Sequence, residues 1–221
     1  MNFKFIPIFA SSLVFLHTQF GFALFWDKLK VTDEQIAMLS SDKRRFIDDE
    51  KKQLDEISKD YVLQKKSLQR QESLLKIADQ AVVIQEQILK KSEMEYEYAT
   101  TIQDAELTLK RLKEKQEAEK FLQIEKLKNE GESAQLALQK LKFKIAETKR
   151  DNAEDRLELA KLVSVYGDSL QTNPLYDKEI FKQRQAVRDN ERILRKLEEE
   201  VKDLLDKTTD LGKKLETAKK K

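Results

Sequence analysis

The sequence predicts an all-α protein: an elongated coiled coil with an antiparallel helical hairpin, after an N-terminal signal peptide. Three observations lead there. Helix breakers are scarce, with four Gly and two Pro in 221 residues. Apolar residues recur at alternating intervals of three and four over long stretches, the spacing of a stripe on one helix face. The first 23 residues differ in character from the rest, being mostly apolar with one early lysine, Lys4.

Composition narrows the classes of function. Charged residues make up 38% of the chain and aromatic residues 8%, which suits long solvated helices better than a thick globular core. The net charge is +2, with both signs mixed along the chain, so no nucleic-acid footprint is present. Cysteine is absent, which removes thiol chemistry and lipid attachment through cysteine. The single histidine, His17, falls in the amino-terminal segment and is no candidate ligand or base.

Residues 1–23 read as a signal peptide. Phe5 to Leu16 is an apolar run, and Gly21-Phe22-Ala23 places small residues before a cut after Ala23. The alternative is an uncleaved anchor, since Phe5 to Trp26 is long enough to cross a bilayer. Either reading puts the rest of the chain in the periplasm or outside the cell, or on an inner-membrane anchor with the rod in the periplasm. Residues 24–44 form a short lead-in. Within it Thr32 and Gln35 have the spacing of a capping box, and Ser40-Ser41-Asp42 can interrupt and restart a helix.

Residues 45–166 read as a long helical region. Its stripe runs Leu54, Ile57, Tyr61, Gln64, Leu68, Gln71, Leu75, Ala78, Val82, Gln85, Leu89, Ser92, Tyr96, Ala99. Three glutamines soften it. Near Ala99 the phase slips, and Ile102, Ala105, Leu109 and Leu112 continue from a shifted position. Thr100-Thr101 holds neither Gly nor Pro, so a continuous helix with a kink near 99 is expected, with a change of partner or a turn between two helices as the competing readings. A second kink is expected near Gly131, because mid-helix glycine costs about 1 kcal/mol. Close approach of a partner helix at Gly131 is the competing reading.

Residues 167–174 read as a turn. Gly167 suits a left-handed helix stop, and Asn173-Pro174 suits a helix start. Residues 175–221 form the return helix, nearly 70 Å long at about 1.5 Å per residue. Its stripe runs Ile180, Gln183, Val187, Asn190, Leu194, Leu197, Val201, Leu204, Thr208, Leu211, Leu215, Ala218 without a slip. Folded back about the turn, it places Asn190 opposite Asn152, a buried polar pair able to fix register. Lys213 to Lys221 holds five lysines, a charge suited to a helix C-terminus and able to meet acidic lipid.

No phosphate loop, histidine metal motif or nucleophile elbow occurs. Glu93, Glu95 and Glu97 form an acidic group best explained as a solvated face. The expected function is therefore that of a non-enzymatic structural or interaction protein of the cell envelope, a scaffold without catalytic residues, metal or cofactor. Accessory subunit of an export assembly and periplasmic holdase are the alternatives. The expected contact surface is the turn, with Leu170, Leu175 and Tyr176. The stripe of residues 45–115 outruns the return helix, so either that segment folds back as a third helix or another chain covers it, and self-association is expected as the most economical cover. An envelope or secretion-system protein is the expected partner, nucleic acid is not, and membrane contact would run through an uncleaved N-terminus or the C-terminal lysines.

Overall fold

The computed structural model describes residues 31–167 and 174–220. Four helices follow one another: α1 (Asp33–Ala37), α2 (Ser41–Thr101), α3 (Ala105–Tyr166) and α4 (Pro174–Lys220). The expected signal peptide and residues 24–30 of the lead-in lie outside the described residues, as does Leu170. What is shown is an all-α helical bundle, and neither an export signal nor a periplasmic setting. None of the described helices is long and apolar enough to cross a membrane.

The described residues open on the Thr32–Gln35 capping box. The Gln35 N–H donates to Thr32 Oγ1 at 3.3 Å and the Thr32 N–H donates to Gln35 Oε1 at 3.0 Å. This satisfies two orphan donors and starts the single turn of α1. Ile36 and Leu39 then pack on Ile47, Leu157 and Ala160, where α1, α2 and α3 meet.

The first correction concerns residues 99 to 105. The chain does not continue there as a kinked helix. It reverses. Ile102 caps α2, Gln103 takes a left-handed backbone with φ 57°, and Asp104 caps α3 by accepting the Leu107 N–H at 3.0 Å. A left-handed glutamine costs about 1 kcal/mol, which the Asp104 cap offsets at about the same magnitude. The phase slip near Ala99 is the turn itself.

Reversal lays α2 antiparallel on α3. Every member of the Leu54–Ala99 stripe is buried or half-buried, and Ala99 is wholly so. The glutamines in the stripe reach past its edge to polar groups on α3. Gln64 Oε1 accepts from Gln139 Nε2 at 3.0 Å, and Gln71 Nε2 donates to Glu132 Oε2 at 2.6 Å. Tyr61 packs on Phe143, ring centres 5.3 Å apart, with the Arg150 guanidinium 4.4 Å from the Tyr61 centroid. Of the two covers open to this stripe, a fold-back within the chain or a second chain, the structure shows the first.

The second correction concerns the architecture. The elongated coiled coil with one hairpin is replaced by a four-helix bundle with extensive packing between helices. Helix α3 is the shared member, with α2 along one flank and α4 along another. Its buried residues include the neighbours Asn152 and Ala153, which a single coiled-coil seam cannot both contain. Five of its ten buried residues are alanines, Ala118, Ala134, Ala146, Ala153 and Ala160, so two helices can approach one backbone closely.

Helix α3 runs unbroken through Gly131, and a Cβ built there would meet nothing within 4 Å. Neither a helix stop nor a close approach explains this glycine. Gly167 ends α3 in a right-handed conformation, φ −67°, not the expected left-handed one. Its lack of a side chain matters for another reason: a Cβ there would run into the Val163 carbonyl oxygen.

Candidate interaction surface

The expected contact residues have mixed placements. Leu175 is 65% exposed at the start of α4. The Tyr176 ring stacks on Tyr166, centroids 3.9 Å apart and planes 10° apart. The Tyr166 hydroxyl in turn accepts from Gln35 Nε2 at 3.0 Å. Tyr176 thus closes one end of the bundle, linking α4 to α3 and through Gln35 to α1. Its phenol is held above the usual range, first by the adjoining Tyr166 phenol and then by lost solvation.

Asn152 and Asn190 both lie in the α3–α4 contact, each on its own partner. Asn152 is buried at 8% and its amide donates to the Val187 carbonyl at 3.0 Å. The Asn190 amide donates to Asp155 Oδ2 at 2.9 Å, while Gln183 Nε2 donates to Asp155 Oδ1 at 2.8 Å. Asp155 is the hub of this contact, and sequence reasoning passed over it. The available signal was an acidic residue three positions after Asn152, on the same helix face.

Several charged groups are engaged with one another. Glu95 meets Arg111 at 2.7 Å across α2 and α3, and Arg111 also holds Glu114 at 2.6 Å. Near the C-terminus Lys213 lies 3.8 Å from Asp210 and Lys219 2.7 Å from Glu216. The Lys219 ammonium, by hydrogen bond first and charge second, holds the Glu216 carboxyl below the usual range. Among the described residues no group of three or more His, Cys, Asp or Glu side chains converges as a metal ligand set would.

The surface that stands out is the outer side of α2. Leu63 is 59% exposed, Ile77 62%, Ile84 57% and Tyr98 64%. Leu74, Ile77, Ala81, Ile84 and Ile88 repeat at intervals of three and four, one position ahead of the stripe that packs on α3. One position is about 100° of helix rotation, so α2 carries two apolar stripes side by side. The upper part of this second stripe borders a groove of about 390 Å³ between α2, α3 and α4. Leu74, Ile77 and Ala81 form one wall, Leu211 and Leu215 the other, and Gly131 lies in its lining. The bare backbone at Gly131 widens this groove.

Comparison with family models, curated proteins and solved structures finds no match to this chain. The assignment of function therefore rests on the sequence and the physical surface.

Proposed function

We propose that this chain is a non-enzymatic helical scaffold of the cell envelope that works by holding other proteins. The observation that carries this reading is the display of large aliphatic side chains along the outer side of α2. A helix bundle gains nothing from exposing Leu63, Ile77 and Ile84, whereas an interaction surface needs anchors of this kind. The polar caps and hubs are committed to holding helices together. The extracytoplasmic setting rests on the apolar amino-terminal stretch of the sequence.

The test is fractionation of cells producing the full chain, with crosslinking before lysis. The expected result is a chain outside the cytoplasm, linked in fixed proportion to one or a few envelope proteins. Retention in the cytosol, or a chain crosslinked to nothing, overturns the proposal.

A second reading is favoured by the hairpin end, where Met94, Tyr98, Ile102 and Leu109 are all exposed around the 102–104 turn. Such a cluster suits transient capture of unfolded chains, as in a holdase. That reading predicts suppressed aggregation of a denatured client at equimolar chain, which a dedicated scaffold would not give.

A further inference from the structure

We infer that the outer stripe of α2 is the contact between two copies of this chain, paired antiparallel about a two-fold axis at Ala81. The inference deepens the scaffold reading by naming one occupant of the exposed surface, and its test is independent of any envelope partner.

The first support is self-complementarity. An isologous contact requires one stripe to match its own reversal. Turned about Ala81, Leu74 falls opposite Ile88 of the other copy, and Ile77 falls one residue from Ile84. Farther out, Leu63 falls one residue from Tyr98. At the centre the smallest residue of the stripe meets itself, so the two backbones can approach closely where the helices cross. The polar residues of the stripe fit unevenly. Lys66 comes within one residue of Glu95, which Arg111 already holds at 2.7 Å, while Arg70 comes near Lys91, a repulsive pair at the rim where charges are screened.

The second support is local composition. Between positions 73 and 89 only Lys76, Asp79 and Glu86 are charged, in a chain whose overall charged fraction is 38%. Two of these are turned to α3, where Asp79 accepts from Asn129 at 2.7 Å and Glu86 lies 3.2 Å from Lys126. The far border of the stripe is Ser73, Gln80 and Gln87, all uncharged. A contact buries such residues at less cost than the lysine and glutamate borders found elsewhere on these helices.

The third support is area. From the exposed fractions of Leu63, Leu74, Ile77, Ile84, Ile88 and Tyr98, complete burial of these side chains covers at most about 1,200 Å² over both copies before polar borders are counted, where specific interfaces begin. Ile84 and Ile88 of the second copy would also reach Ile77 and Leu74 at the mouth of the groove.

The experiment uses the full chain, which contains no cysteine. Sedimentation equilibrium is expected to give twice the chain mass at micromolar concentration. Ile84→Lys is expected to weaken association at least about 30-fold, as loss of a central anchor does, with helix content unchanged by circular dichroism. Ala81→Cys is expected to form a disulfide dimer on mild oxidation. Val83→Cys, exposed at 53% on the opposite face, is expected to stay unlinked. Leu74→Cys and Ile88→Cys should link when mixed and not separately. A monomer at all concentrations, a dimer indifferent to Ile84→Lys, or Leu74→Cys linking to itself as in a parallel pair each overturns the inference. A monomer would leave the scaffold proposal standing, since that is tested by crosslinking in cells.

Discussion

Replacing Asp155 by alanine tests how α3 and α4 are held in register. The carboxylate accepts from Gln183 at 2.8 Å and from Asn190 at 2.9 Å, one amide on each oxygen. A hydrogen bond to a charged group contributes about 1.5 to 3 kcal/mol. Asp155, Gln183 and Asn190 are all half-buried, so the lower figure applies to each bond. Asp155→Ala should then cost about 3 kcal/mol, less about 1 for water reaching the freed amides. The net expectation is roughly 2 kcal/mol. Urea denaturation followed by circular dichroism reads this as a fall in midpoint at constant slope. The decisive arm is the same substitution in a Gln183→Leu, Asn190→Leu background, where the cost should shrink to a few tenths of a kcal/mol. An equal cost in both backgrounds would refute the hub, because the loss would then not pass through these two amides.

Other outcomes follow from the same structure. Leu157→Ala removes a core side chain packed with Ile47 and Ala160 and should cost about 2 to 3 kcal/mol, the low end for such truncations because the short α1 can settle inward; hydrogen exchange should quicken first in α1. Asp104→Ala should cost about 1 kcal/mol through loss of the α3 cap, whereas Gln103→Gly should be neutral to slightly stabilising because the left-handed position no longer carries a Cβ. A destabilising Gln103→Gly in urea titration would argue against the left-handed turn. The raised Tyr176 phenol favours the neutral form in the folded state. Its contribution is therefore complete below the ordinary phenol value and lost as pH rises through the higher folded one. Urea midpoints measured above pH 9 should fall less steeply in Tyr176→Phe than in the unsubstituted chain. Glu216 has the opposite sign: its contribution holds above the ordinary carboxylate range, is lost as pH falls through the lowered value, and is small because the pair is exposed.

Periodicity alone determined which faces turn inward. The stripes from Leu54 to Ala99 and from Ile180 to Ala218 are buried or half-buried at every described position, because apolar spacing records the direction of burial regardless of what covers it. The Thr32–Gln35 box was legible for a similar reason, since capping depends on residues within one turn. Tertiary structure decided what local spacing cannot contain. That α2 folds onto α3 depends on a left-handed Gln103, a conformation that a glutamine side chain does not announce. That α3 serves two neighbours depends on its alanines, which read as neutral helix formers until two helices lie against them. The second stripe of α2 was present in the order of residues. It took on meaning once the first was seen to be covered within the chain, because only then does Ile77 or Ile84 become an aliphatic side chain left in water.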